Sequence, residues 1–397
     1  MSQTSGRAAR RAARCAANLF ACAAIGLAAD TPLRAQEVPE FDADQRGFEV
    51  DFGDVELRVG GRMHIDTLIA PDLFGEDDVD FRRARVEVGL DLPSDFRVRA
   101  DYEFAGAEGW RNVWIDWRGI DGVGIRAGQF VVPFNIEDMQ QSNDLLFMER
   151  ALTSALAPSF AVGAAARSTP GNWTLTAGVF RDPINNGSNR DDGTSYVGRA
   201  VYRPVDSRRR VVHLGVALEH RDYEEGVGAR FGASQEATLG SPQRLRTPTF
   251  RDAASSTGVS TEAIMIDGPL LLQAQAIGRR VRRLENSDPT LWGAYIQAGW
   301  LFGEGRRRYS RGLGAPSAID VDRGDPVFEV GLRASYLDLE EEGSTGGREF
   351  NLGGAFSYYI DDNARLAANI IKVWQRPDRS GDDESGVIFQ TRFQVRF

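Results

Sequence analysis

The chain closes on VIFQTRFQVRF, residues 387–397, with no polar tail behind the last Phe. Val387, Phe389, Thr391, Phe393, Val395 and Phe397 share one parity, and Ile388, Gln390, Arg392, Gln394 and Arg396 share the other. Successive side chains of a strand point to opposite faces, so this segment has one largely apolar and one strongly polar face. A free edge strand of that kind templates aggregation in water. The pattern makes sense if the apolar face meets lipid and the edge is paired by closing a barrel.

The same alternation recurs along the chain in segments of about ten residues separated by turn residues, the signature of a transmembrane barrel. In 81–91, Arg82, Ala84, Val86, Val88 and Leu90 oppose Arg83, Arg85, Glu87, Gly89 and Asp91. In 96–104, Phe96, Val98, Ala100, Tyr102 and Phe104 alternate with Arg97, Arg99, Asp101 and Glu103. Polar faces this charged belong in a wet lumen. Trp173, Trp292, Trp300 and Tyr336 fall near strand ends on outward faces, which suits interfacial girdles.

Reading each alternating run as a strand yields seventeen, including 227–238. A bacterial barrel with both ends in the periplasm needs an even number. The Gly268-Pro269 turn demands a preceding strand at 257–267, which leaves 222–256 as one long loop. The expected fold is therefore an all-β, sixteen-stranded antiparallel transmembrane barrel with inward-folded loops. Its strands are expected at 55–68, 79–91, 96–105, 111–118, 123–131, 159–167, 172–182, 194–203, 210–221, 257–267, 270–281, 290–302, 327–338, 348–360, 363–374 and 386–397. Barrels of that size enclose a water-filled channel.

The first 35 residues read as a cleaved export signal, with Arg7, Arg10, Arg11 and Arg14 ahead of an apolar stretch from Cys15 to Ala29 and cleavage after Ala35 or Ala29. Both cysteines lie inside it, so disulfides and thiolate metal sites are excluded from the mature chain. The mature chain carries 42 basic and 56 acidic residues, net −14. No stretch reaches the roughly 18 apolar residues that a membrane helix needs. Residues 36–54 read as an acidic, mobile periplasmic arm, and 55–397 as the barrel.

Three connections exceed simple turns: 132–158, 222–256 and 303–326. Loops that long in a compact fold are usually functional or disordered. In the first, Leu145, Met148, Leu152 and Leu156 recur at helical spacing, which predicts a helix over 143–156 folded into the barrel as a constriction. The third carries Arg306, Arg307, Arg308, Arg311 and Arg323 and reads as a solvated charged turn, with an electropositive periplasmic mouth as the alternative.

Phe81-Arg82-Arg83-Ala84 and GQFVVPFNIEDMQQSNDLLFMERAL, residues 128–152, resemble the phosphate-selective porin family of Gram-negative outer membranes. Similar pieces are GGRMHID at 60–66, VVHLGVALEHRDY at 211–223, GAYIQAGWLFGEGRRRYS at 293–310 and the final strand. The resemblance implies a sixteen-stranded, usually trimeric channel, narrowed by inward loops and lined by basic residues that pass anions such as phosphate. By position, Arg62, Arg82 and Arg83 match the family's pore arginines, and Arg230 lies in the long loop where the family places several more. The chain departs from the pattern at Asp138, where the family has a lysine, and at Asn112, where it has an aspartate. These departures speak against high-affinity phosphate selection. Strict parity sends Arg82 outward, at a cost of about 2–4 kcal/mol at mid-bilayer and about 0–1 near the interface. Either Arg82 snorkels near a strand end or a bulge turns it inward.

Arg62, Arg83, Arg85, Arg97, Arg99, Arg126 and Arg150 are the candidates for the narrow region, where fixed guanidinium donors replace part of an anion's hydration. The competing reading is that these arginines pair across the wall with Glu87, Asp91, Asp101 and Glu103 and brace it. His64, His213 and His220 lack any catalytic or metal-ligand spacing, with His213 inward and His220 outward by parity. No enzyme activity, cofactor, metal or nucleic-acid partner is expected. The functional expectation is an outer-membrane channel for passive diffusion of small anions, with a general diffusion porin as the alternative. Partners would be small anions, outer-membrane lipid and two further copies in a homotrimer. A soluble exported β-sandwich or propeller is the rival fold.

Overall fold

The fold is described from a computed structural model, which covers residues 47–397 except 71, 73–76, 185–192, 240–244, 322–323 and 378–381. The expected export signal and residues 36–46 lie outside these. The first strand, β1 (Phe48–Phe52), forms a hairpin with β2 (Val55–Ile69). The wall continues through β3 (Asp78–Leu92), β4 (Phe96–Glu103), β5 (Gly109–Ile120), β6 (Val123–Val131), β7 (Phe160–Ser168), β8 (Trp173–Arg181), β9 (Thr194–Asp206) and β10 (Arg210–Asp222). It is completed by β13 (Ala253–Asp267), β14 (Leu270–Arg283), β15 (Thr290–Phe302), β18 (Val327–Glu341), β19 (Ser344–Tyr359), β20 (Ala364–Arg376) and β21 (Glu384–Arg396). Two small hairpins lie between: β11 (Gly232–Ala233) with β12 (Leu245–Arg246), and β16 (Arg306–Ser310) with β17 (Ala315–Asp320).

Every wall strand is antiparallel to its neighbours, and β21 closes the circle on β2 from Arg62↔Arg396 to Ile69↔Phe389. The closed barrel thus has sixteen strands, and each coincides with one expected from the alternation. Closure removes the free edge, because a barrel pairs its first and last strands. The final residue takes part: the Gly61 amide donates to the Phe397 carbonyl at 2.8 Å, and the Phe397 amide donates back at 3.1 Å. Below that point β1 takes over the same edge of β2, starting at Phe48↔Val59. Residues 48–52 of the expected mobile arm are therefore a short strand paired with β2 alone, additional to the sixteen of the closed barrel.

Outward positions are apolar, as Ile296, Leu332 and Ile370 show, all more than half exposed. Aromatic pairs mark two belts: Trp292 with Tyr336 and Phe350 with Trp374 at one end, Trp173 with Tyr202 and Phe328 with Tyr358 at the other. Trp292 and Trp300 are about 26 Å apart along β15 at roughly 3.3 Å per residue, matching the height of a lipid-facing band. His213 points inward and is buried, whereas His220 points outward, as parity predicts.

Candidate functional site

The barrel interior is occupied chiefly by the 132–159 loop between β6 and β7. A helical turn, α1 (Ile136–Met139), is capped by Asn135, whose side-chain oxygen accepts from the Glu137 amide at 3.2 Å. A 3-10 turn spans Leu152–Leu156. Between them the chain is irregular, so the helix expected over 143–156 survives only at its end. The reason lies in the carbonyls. Arg365 on β20 donates to the carbonyls of Asn143, Leu145 and Leu146 at 3.3, 2.9 and 3.3 Å. Arg392 on β21 donates to Met148 O at 2.7 Å, and Arg333 on β18 to Glu149 O at 2.9 Å. A helix needs those carbonyls for its own amides. Here the opposite wall takes them.

Glycines on the inner face make room for the loop. A Cβ at Gly331 would stand 2.8 Å from Leu146 Cδ1, and one at Gly353 would stand 2.8 Å from Phe147 Cε1. Leu146 and Phe147 therefore sit in wells in the wall. Acidic groups of the loop complete the anchorage. Glu137 accepts from Arg333 at 2.8 Å, and its other oxygen accepts from the Ala151 amide at 2.7 Å. Burial pushes the Glu137 carboxyl up, with Arg333 opposing. Burial would also raise Glu149, but Arg82 and Arg392 outweigh it and hold that carboxyl well below the ordinary range.

The 303–326 segment is not a solvated turn. Its β16–β17 hairpin folds into the lumen at the end where both termini of the barrel lie. Arg307 is paired with Glu329 on β18. The tip reaches the far wall, where Arg199 on β9 donates to the carbonyls of Leu313 and Gly314, both at 2.7 Å. Arg199 is itself held by Glu262 at 2.6 Å, and Glu262 also contacts His213, whose other nitrogen meets the Tyr309 hydroxyl at 2.7 Å. Gly314 adopts φ +58°, and a Cβ there would stand 3.1 Å from Val201, so the tip requires glycine. The 223–252 loop also enters the barrel: Glu236 accepts from the Leu152 amide at 3.2 Å.

These insertions leave a cavity of about 150 Å³ against the β2–β8 wall. Seven arginines line it: Arg62, Arg83, Arg85, Arg99, Arg126, Arg150 and Arg167. Six of them were singled out from the sequence; Arg167 was not. Most have carboxylate partners. Arg62 meets Glu87 at 3.1 Å, Arg85 meets Glu103 at 3.1 Å, and Arg99 contacts both Glu87 and Asp101. Arg126 lies 3.7 Å from Asp116 and stacks 3.5 Å above the Trp114 ring; Arg150 meets Asp138 at 2.7 Å. Arg83 lines the cavity with no carboxylate within ion-pair distance among the described residues.

The remaining expected site residues lie elsewhere. Arg82 is turned inward by a bulge, where pairing steps from His64↔Arg83 to Ile65↔Phe81, and grips Glu149 behind the cavity. Arg97 is paired with Asp91 near the β3–β4 turn, outside the cavity lining. Arg230 is exposed in the 223–252 loop. The clamping arginines Arg199, Arg333, Arg365 and Arg392 were not singled out as site residues, although each has inward parity on its strand. Parity cannot distinguish an arginine that faces water from one that holds a loop.

A sixteen-stranded barrel with apolar exterior, aromatic belts and a charged, loop-narrowed interior defines the porin class of outer-membrane channels. The sequence matches the family described as phosphate-selective porin O and P over residues 57–397, and the chain belongs to that family. It is thus an outer-membrane porin. Among curated relatives, Porin O of Pseudomonas aeruginosa is 24% identical over an alignment covering 95% of this chain and 98% of the relative. An uncharacterised protein of Caulobacter vibrioides is 27% identical over 62% of this chain and 54% of its own length. Among solved structures, the channel DcaP of Acinetobacter baumannii superposes with TM-score 0.56 at 10% identity, covering 89% of this chain and all of that one. The anion-selective porin of Comamonas acidovorans superposes with TM-score 0.54 at 12% identity, covering 87% of this chain and all of that one. The trimer form of OmpT from Vibrio cholerae gives 0.54 at 9%, with the same coverages.

Proposed function

We propose that the channel passes small anions, phosphate among them, through the arginine-lined cavity, with Arg83 as the principal free guanidinium. The supporting observation is that Arg83 stands in the lining with no carboxylate within ion-pair distance among the described residues, beside Arg62, Arg85 and Arg99. An anion there regains charge-assisted hydrogen bonds for the hydration it loses, and several moderate sites let it leave again. The relatives' names, phosphate-selective for the family and anion-selective for the Comamonas porin, support the same sign of charge. We read residues 1–35 as a cleaved export signal and the assembly as a homotrimer in outer-membrane lipid. We assign no catalytic role to the chain.

Reversal potentials under a potassium chloride gradient test this reading. The sign should report chloride as the more permeant ion; a cation preference would refute it. The second reading, a general diffusion porin, draws on the pairing of most cavity arginines with carboxylates, which makes them braces. Added phosphate separates the two, since it lowers chloride current only if a phosphate site exists.

A further inference from the structure

A second cavity, of about 200 Å³, adjoins the first. Arg181 near the end of β8, Ser195 near the start of β9 and Arg221 near the end of β10 contribute to its lining, which places it toward the barrel end away from the termini. The first cavity reaches the other way along β7, from Phe160 to Arg167. Ser159 and Phe160 line both. They sit where the constriction loop rejoins the wall: the last β6–β7 pair is Val131↔Phe160, and the Ser159 carbonyl accepts from the Val132 amide at 3.1 Å. The backbone is fixed at this point, whereas the Ser159 side chain is exposed. On the other side of the junction the Arg111 guanidinium lies 5.8 Å from the Phe160 ring centroid.

The two linings differ in charge. The first contains seven arginines and one carboxylate, Asp138; Glu87 and Glu103, which pair with Arg62 and Arg85, stand outside it. The second contains three arginines and two carboxylates, with Arg221 paired to Asp182 and Arg279 to Glu219. Coulomb energy falls with distance, so the groups that form each surface weigh most on an ion passing over it. An ion that crosses between the cavities therefore moves from a nearly balanced surface to a cationic one, and Ser159 stands at the step. We infer that the two cavities are successive chambers of one ion route along the β7 side of the lumen, and that Ser159 is the specificity-determining position between them. The sign of the selectivity rests on the anion-channel reading above; the course of the route does not.

The test uses the purified porin in planar bilayers under a potassium chloride gradient. Ser159→Asp and Ser159→Arg place opposite charges at the step. The first should lower the chloride-to-potassium permeability ratio about fivefold and the second raise it by a similar factor, the order expected for one charge several ångströms from the ion. A variant that only disturbs packing would shift both the same way. Asn363→Asp, in the lining of a separate small cavity beside β20, should change the ratio far less. Ser159→Cys adds a thiol to a chain whose own cysteines, Cys15 and Cys22, lie in the expected export signal. A methanethiosulfonate bearing a sulfonate, added to both sides, should then remove most of the current, while wild type treated alike keeps it. Equal ratios in the two charge variants, a thiol that does not react, or full current after it has reacted would each overturn the inference. A cation-preferring reversal potential in wild type instead removes the anion reading and leaves the route to be judged by the thiol experiment.

Discussion

Arg82 and Glu149 form a two-pronged ion pair with both contacts at 2.8 Å, although the alternation of β3 would have turned Arg82 toward lipid. A bulge at this point makes the pair. A β-bulge adds one residue to one strand and re-aims the side chains beside it. Glu149 also accepts from Arg392 at 2.8 Å, so a single loop carboxylate ties the constriction to both β3 and β21, the strands that flank β2 at this level.

Replacing Glu149 with Gln leaves the largely buried Arg82 guanidinium without its counter-charge, whereas Arg392 keeps Asp66 at 2.6 Å. Removing one partner of such a group costs about 3–5 kcal/mol when fully buried. Glu149→Gln should therefore lower the thermal unfolding temperature in detergent and increase single-channel noise. Unchanged recordings would show that the pair is not what holds the loop.

The same carboxylate sets a pH window. Its folded value lies well below the ordinary 4.5, mainly because Arg82 outweighs the effect of burial. A carboxyl depressed in the folded state contributes its full stabilisation above the unfolded value and loses it as pH falls through the depressed one. Channel noise should be constant from pH 8 to about pH 5 and rise only in stronger acid, as followed by recordings across a pH series.

Arg83→Gln removes a cavity guanidinium that has no carboxylate within ion-pair distance among the described residues. At a separation of several ångströms and intermediate screening, one charge is worth about 1 kcal/mol to a passing ion, or roughly a fivefold change in its local concentration. The chloride-to-potassium permeability ratio should fall by a factor of that order. Arg97→Gln, away from the cavity, should change it far less.

Gly331→Leu fills the well that receives Leu146. Overpacking of this kind typically costs about 1–3 kcal/mol. The loop should be displaced toward the open cavity, and conductance should drop relative to wild type. Conductance equal to wild type would mean that the loop is not seated in that well.

Arg199→Ala releases the hairpin tip and strands Glu262 beside His213. Loss of one partner from a buried pair is again an effect of about 3–5 kcal/mol. Conductance should increase and fluctuate as the β16–β17 hairpin leaves the lumen, measured in the same bilayers.

Alternation alone settled the wall of this protein. All sixteen strands, their antiparallel order, the lipid-facing aromatics and the inward 132–158 loop are legible in the sequence, because period-two patterning is local and each strand pairs with its neighbour in the chain. Tertiary structure decided what fills the lumen. The bulge at Arg82, the unwinding of 143–151 and the inward turn of the 303–326 hairpin all depend on distant partners, such as Arg333 and Glu137, which are 196 residues apart. An inward arginine reads the same on its own strand whether it faces an ion, a carboxylate or a loop carbonyl. Only the closed barrel brings those alternatives within reach and selects among them by hydrogen-bond geometry and burial.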